Sequence, residues 1–450
     1  MAEQTAREPK RFKIRHLFLG LLLLLLVWFA LFRISAHRNV TRRLGQLRAQ
    51  GYPMSLAELG QRYTLAPGAD NAADYYLTAF SHYEAWNDEA REGLPWVGRG
   101  QRPTRTGVME PEIAERAERF LADNEKTLSL LHEAVAIESS RYPIDFEEEI
   151  GAGVSWLGDV RKHAFLLSLE ALAACERGDP NQALASVQAT LALARSLNTP
   201  ILIHRLVNIA VQALAYRSSE HIVNRVSLTD EQLRVLSNWL EAADDSQGQR
   251  DALIGERCFG VDIFQGSTGH LAAHFGGSGK LMTLVVIPRR LLGLHDRDLL
   301  GYLDLMEGYI DAAKLPPCER LAQCESLREA RPQGLLTREL TPAFVRVFQL
   351  EIRHVAHRRA AQAALAIERY RLAEGGIPLA LSDLVPTYLD AVPVDPFDGQ
   401  NLRYRLREET GYVVYSVGED LTDDGGTEHD DRKRNADNEI IWDVTFIVER

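Results

Sequence analysis

Near the end of the chain, "SVGEDLTDDGGTEHDDRKRNADNEIIWD" sets Asp420, Asp423, Asp424, Asp430, Asp431 and Asp437 on a glycine-containing segment. Carboxylate oxygens on flexible backbone are what a hard cation such as Ca²⁺ takes, and Gly425 with Gly426 permits the turns. The same composition also describes a plain solvated loop, and Arg432, Lys433 and Arg434 interrupt it with positive charge. A second group, "LEIRHVAH", spaces Glu351, His354 and His357 three residues apart, as a carboxylate-bridged metal helix does. Such a site needs a second helix with matching ligands; His270 and His274 in "HLAAH" offer imidazoles, but the zinc-protease motif is absent. Arg353, Arg358 and Arg359 crowd the helix with positive charge, so a solvated polar face is expected there.

Other catalytic patterns fail on spacing. "HFGGSGKL" has His274 where a phosphate loop needs glycine and Leu281 where it needs Ser or Thr. "GVSWLG" around Ser155 brings its second glycine one residue late for a nucleophile elbow. The four cysteines contain no C-x-x-C, which argues against a zinc ribbon or a thioredoxin site. Cys318 and Cys324 can bridge only if the chain turns between them; on one continuous helix, six positions apart, they point in different directions. Cys175, in an apolar helix, reads as core. No catalytic residue is assigned.

The elements that must position these groups are mostly helical. From Ser55 to about Ala373 the apolar residues recur at helical spacing. "SLTDEQLRVLSNWLEAA" opens with a capping box of Thr229 and Gln232 and continues with Leu233, Leu236 and Leu240 on one face. "PEIAERAERFLADNEKTLSLLHEAVAIES" starts with proline in its first turn and carries a stripe of Ile113, Ala117, Phe120 and Leu121. Two further helices meet at Gly178-Asp179-Pro180, with Ala171, Ala174 and Ala183 where the pair must approach closely. That turn is similar to one tetratricopeptide repeat, but no second copy follows at the required period, so an ordinary antiparallel pair is expected. Residues 265–300, with "QGSTGHLAAHFGGSGK", read as a Gly-rich loop.

The first fifty residues stand apart. They hold ten Lys/Arg against Glu3 and Glu8, a balance of +8; since the chain carries −12, the remaining 400 residues carry −20. So acidic a body argues against a nucleic-acid partner. Leu17–Phe32 has no polar side chain in sixteen residues, which as a helix is about 24 Å, slightly short of a bilayer core of about 30 Å. Ile14 and Ile34 extend it, and Arg15, His16 and Arg33 can snorkel. The run is long for a signal peptide, and "RISAHR" is a poor cleavage site, so an uncleaved anchor is expected. Basic residues flank it on both sides and leave the positive-inside rule nearly silent. The short tail favours a cytoplasmic N-terminus, with residues 36–450 outside the cytoplasm.

The last eighty-odd residues carry a resemblance. "ALAIERYRLAEGGIPLALSDLVPTYLDAVPVDPFDGQNLRYRLREETGYVVYSVGEDLTDDGG" resembles the globular part of the type II secretion major pseudopilins. The matching residues are Tyr370, Gly376, Pro378, Leu384, Tyr388, Leu389, Pro393, Asp395, Pro396, Gly399, Tyr404, Ser416, Gly418 and Asp420. The resemblance implies a long helix, a turn, an antiparallel strand pair and a calcium-ordered aspartate loop, in which Asp420 matches best and Asp424 and Asp437 more loosely. The residues agree with this on their own terms. Pro393 and Pro396 restrict the chain before a turn at Asp398-Gly399, and "LRYRL" can pair with "YVVYSV". Tyr404, Tyr412 and Tyr415 are expected to pack that sheet on the helix ending near Tyr370. The pseudopilin cleavage motif is not found before Leu17, and some 300 helical residues separate the anchor from this ending, so a pilus subunit is not the expected reading. As a whole it resembles membrane-anchored bacterial envelope proteins without an assigned activity.

The expected architecture is therefore mainly α: a basic cytoplasmic tail (1–16), a transmembrane helix (17–34), a juxtamembrane linker (35–54), a multi-helix domain (55–340) and a small α/β pseudopilin-like domain with an antiparallel sheet (341–450). The expected role is structural or interactive, at the bacterial inner membrane, with envelope or secretion proteins as partners and calcium at Asp420, Asp424 and Asp437 as the candidate cofactor. The rival is a membrane-anchored, hydrolase-like enzyme with its pocket in the helical domain and residues 265–300 as a lid.

Overall fold

The computed structural model describes residues 14–146, 155–245, 247–267, 279–330, 334–341, 344–407, 411–428 and 442–449. The described helices include α1 (Ile14–Ala49), α2 (Pro111–Asp123), α3 (Leu157–Glu176), α4 (Pro180–Arg195), α5 (Leu202–Arg225) and α6 (Asp230–Ala242). They are followed by α7 (Gly279–Leu291), α8 (Pro317–Glu329) and α9 (Phe344–Glu374). Three strands close the chain: β1 (Arg403–Arg407), β2 (Gly411–Ser416) and β3 (Val444–Val448). The chain divides into two compact units.

The first unit gathers Met1–Met54, Gly260–Leu305 and Pro332–Leu340. Among the described residues, α1 is the one helix long and apolar enough to cross a membrane. Its nature changes along its length. Leu17 to Leu31 are apolar all round and, Phe29 apart, exposed, whereas Ala36, Val40, Leu44 and Leu47 form a single buried stripe. Residues 279–291 are α7, which overturns the loop expected there; "LMTLVVI" is an apolar run that helical backbone satisfies internally, and Pro288 sits near the end of the helix. The glycine-rich residues 268–278, with His270, His274 and most of "HFGGSGKL", lie outside the described residues. Buried Asp298 caps the short helix Leu335–Leu340, accepting from the amides of Leu336 at 3.0 Å and Thr337 at 3.3 Å.

The second unit holds the remaining described residues from Ser55 onward. The α3–α4 hairpin turns at Gly178, whose φ of +69° suits glycine, and Asp179 caps α4 by accepting from Asn181 and Gln182 at 3.1 Å. Ala171, Ala174 and Ala183 are buried, so the two backbones come close, and α5 packs against both helices. The capping box of Thr229 and Gln232 opens α6. The stripe of Ile113, Ala117, Phe120 and Leu121 lies on α2, and a second helix, Glu125–Glu133, follows it. The two helices break at buried Asn124, whose side chain takes both the amide and the carbonyl of Glu84. α8 is continuous, so the condition that excludes a Cys318–Cys324 bridge is met, and both thiols are free.

The C-terminal sheet has the order β1-β2-β3, antiparallel throughout, with Tyr404 opposite Val414 and Val414 opposite Phe446. It lies on α9, and its core is continuous with the helices: Tyr412, Val414 and Val448 share one apolar cluster with Ile222, Leu236 and Ala364. Tyr412 donates to the carbonyl of Ala364 at 3.1 Å and to Glu368 at 2.9 Å. Tyr404 packs on the same side, its ring 5.9 Å from Tyr412. Tyr415 does not. Strand alternation puts it with Val413 and Ile447 on the opposite face, where its hydroxyl donates to Asp423 at 2.9 Å. Asp395, fully buried in the turn before β1, accepts from Ser416 at 2.7 Å, Val417 at 2.9 Å, Phe397 at 3.0 Å and Arg403 at 2.7 Å.

Candidate functional site

A cavity of about 590 Å³ opens within the second unit, where the helical layer meets the sheet. Its walls come from the loop 96–105, one face of α3, the middle of α5, Arg353 and His357 of α9, and the residues entering β3. Local sequence explains the loop. Gly98 and Gly100 run against the backbone of Arg91 to Leu94, so close that a Cβ at Gly98 would stand 1.7 Å from a carbonyl oxygen. Trp96, in the left-handed region at φ 65°, stacks on Phe165 at 6.2 Å and carries the guanidinium of Arg102 at 4.4 Å from its ring centre.

The charges on the wall fall into two sets. Arg105 donates to Glu220 at 3.0 Å and to Glu428, with Glu449 at 3.6 Å. Burial would lower the guanidinium's pKa, but Glu428 and Glu220 outweigh it and hold Arg105 above its usual range. Arg353 pairs with Glu419 and lies 4.2 Å over the ring of Trp442. These cations are compensated. Arg102 and Arg217 have no carboxylate partner among the described residues, and both face the cavity. Their field reaches their neighbours. Arg102 is pushed down by burial and then by Arg217. His357 is pushed down to about 3 by burial, Arg217 and Arg353, and His221 to about 4 chiefly by burial and Arg225. Both imidazoles are therefore neutral near pH 7, and the Nε2 of His221 is buried without a hydrogen-bond partner. Among the described residues, none of Thr104, Ser168, Ser218 and Cys175 shares a hydrogen bond with either histidine. Cys175 is pushed up to about 12 by burial, which makes it an inert thiol at neutral pH.

The expected solvated face of α9 is overturned. Glu351 and His354 are buried and His357 is half-buried, because α9 is covered by α5 on one side and the sheet on another. Glu351 accepts from the Arg205 Nη2 at 2.9 and 3.0 Å, and His354 Nε2 lies 3.4 Å from the Tyr216 hydroxyl. Burial, Arg205 and Arg358 push His354 well below its ordinary value. The three residues do not form a ligand set; among the described residues no group of three His, Cys, Asp or Glu side chains comes together to hold a metal ion. Ser155 is exposed, ahead of α3.

The aspartate loop lies beside β2 and β3. Asp420 is exposed and accepts from the Thr422 amide at 3.0 Å. Asp424 keeps Oδ2 buried without a hydrogen-bond partner, and burial followed by Asp420 raises its pKa. Asp437, with Asp430 and Asp431, lies outside the described residues. Sequence reasoning missed Asp443. It is buried under the loop, accepts from the Gly426 amide at 2.7 Å and the Thr427 amide at 3.3 Å, and is raised to about 6, first by burial. It also missed Arg102, Arg217 and His221, whose only signal is a tertiary one. Compared with family models, curated proteins and solved structures, the chain finds no match.

Proposed function

We propose that the chain is a membrane-anchored, extracytoplasmic binding protein of the bacterial envelope, and that the cavity takes a small anionic ligand. One observation carries this reading: Arg102 and Arg217 face a common cavity and, among the described residues, neither is paired with a carboxylate, beside two histidines held neutral by burial and positive charge. An anion there relieves repulsion already present, so electrostatic complementarity favours it over a neutral ligand. Trp96 and Trp442 hold Arg102 and Arg353 over their rings, which limits the side-chain entropy lost on binding. The order of α9, turn, hairpin and acidic loop supports the pseudopilin-like reading of residues 341–450 and, with it, a partner among envelope or secretion proteins. Calcium at Asp420, Asp424 and Asp437 belongs to that reading, and the unpartnered oxygen of Asp424 is what favours it.

The test is isothermal titration of the detergent-solubilised full chain with phosphate, citrate and a dicarboxylate. Binding that weakens about tenfold in Arg217→Ala and in Arg102→Ala, the scale of one charged hydrogen bond, supports the reading. Affinity indifferent to both substitutions would remove the cavity as the site. The anchored-hydrolase reading rests on the neutral imidazole of His357 in the same cavity; turnover of ester or phosphoester substrates that His357→Gln abolishes would favour it over binding.

A further inference from the structure

The first unit contains an apolar surface that neither the anchor nor the cavity explains. On α7, Leu284 is 70% exposed, Ile287 44% and Leu291 68%, at spacing i, i+3, i+7, so they form one stripe, and Leu292 extends it. Val286, almost fully buried, marks the opposite face. The basic residues of the last turn are turned inward and tie the helix down. Arg290 donates to the carbonyls of Phe264 at 3.0 Å and Gly266 at 2.6 Å, and Arg289 lies 3.6 Å from Asp298. The stripe is left facing out.

Its location singles out the occupant. Arg33, the first charged residue after the apolar run of α1, donates to the carbonyl of Arg290 at 2.5 Å and lies 3.9 Å from Asp296. The turn after α7 is pressed onto the same point, since a Cβ at Gly293 would stand 2.9 Å from the Arg33 side chain and 3.1 Å from Phe32. The C-terminal end of the stripe therefore lies close to where the exposed apolar surface of α1 ends. We propose that α7 lies in the bilayer interface beside the end of the membrane span, with Leu284, Ile287 and Leu291 in contact with lipid.

Length and backbone chemistry agree on a shallow position. Thirteen residues make a helix of about 20 Å, too short to cross. Pro288 has no amide hydrogen to give the carbonyl of Leu284, a deficit that hydrocarbon penalises and the hydrated interface relieves. A short helix with one apolar stripe held parallel to a membrane is a second attachment, and it fixes how the first unit meets the bilayer.

The proposal rests on α1 being a membrane span, and the experiment separates the two. The full chain, with Cys318→Ser, is reconstituted in phosphatidylcholine–phosphatidylglycerol vesicles and labelled with an environment-sensitive fluorophore at Leu24→Cys, Leu284→Cys or Leu291→Cys. Nitroxide-bearing lipids then quench from either a deep or a shallow position. The expected result is loss of Leu24→Cys fluorescence to the deep quencher and of Leu284→Cys and Leu291→Cys fluorescence to the shallow one. A Leu24→Cys label quenched by neither overturns the anchor reading and this proposal with it. A quenched Leu24→Cys label alongside unquenched, water-like labels on α7 overturns the proposal alone. Blue-shifted but unquenched α7 labels assign the stripe to protein, another chain or a second copy, and overturn it equally.

Discussion

Asn224 of α5 holds the open edge of the C-terminal sheet, donating to the carbonyl of Ile447 at 2.9 Å and accepting from the amide of Glu449 at 2.8 Å. Glu220, one turn earlier, accepts from the Ile447 amide at 2.7 Å. A helix thus supplies side chains where a fourth strand would supply backbone, and the edge is closed to pairing with another chain. The substitution Asn224→Ala is expected to cost about 1–3 kcal/mol, because it leaves the buried Ile447 carbonyl and the part-buried Glu449 amide without their partner. Hydrogen exchange gives the signature: the Glu449 amide loses protection while the Ile447 amide, still held by Glu220, keeps it. Equal loss at both amides would contradict this division of labour.

Arg205 and Glu351 form a buried pair across 146 residues of sequence, joining α5 to α9. Without Glu351, Arg205 keeps only Asp245, at 3.3 Å, to balance a nearly fully buried guanidinium. Glu351→Ala is therefore expected to lower stability by about 1–3 kcal/mol. Thermal unfolding of the detergent-solubilised chain measures this; a Glu351→Ala chain as stable as the parent would contradict the pairing.

Acid should act through His357. Its folded pKa, about 3, lies below the unfolded value near 6.5. Between those values the unfolded chain binds a proton that the folded chain does not, so this group's contribution is present above pH 6.5 and is lost as pH falls toward 3. Asp443, raised to about 6, acts with the opposite sign, favouring the folded chain as pH falls from 6 toward 4. The comparison that isolates the histidine is therefore His357→Gln against the parent. The parent should lose stability faster on acidification from pH 7 to 5, by less than about 1.4 kcal/mol per pH unit, the ceiling for one proton. Parallel pH profiles would show that His357 gains its proton in the folded chain as readily as in the unfolded one.

Calcium at the aspartate loop is expected to draw on Asp424, whose Oδ2 is buried without a hydrogen-bond partner among the described residues. Millimolar calcium is expected to raise the melting temperature of the full chain relative to excess chelator, and Asp424→Asn to cancel the rise. A ligand at about 100 times its Kd stabilises by about 2.7 kcal/mol, which sets the scale of the shift. An identical transition with and without chelator removes the metal from the account.

Much of the framework was readable from local pattern. The sixteen-residue apolar run, the capping box of Thr229 and Gln232, the turn at Gly178-Asp179-Pro180 and the pairing of β1 with β2 all follow from interactions within a few residues. Backbone sterics and periodicity enforce these wherever the segment is placed. The short helix α7 was missed because its apolar run, "LMTLVVI", is only seven residues long and adjoins a glycine-rich stretch that reads as loop.

The amino-acid sequence alone determined that the chain carries one long apolar helix, a mainly helical body and a closing antiparallel hairpin, because each of those is written in the 3.6- or 2-residue period of neighbouring side chains. Only the tertiary structure decided which charges are buried. Glu351 and His354 turned inward because α5, some 140 residues earlier, covers α9, and the cavity exists because residues near 100, 170, 220, 355 and 445 meet. Contacts of that separation leave no periodic mark. They arise when apolar faces from distant segments bury one another, and the polar groups carried along must find partners where they land.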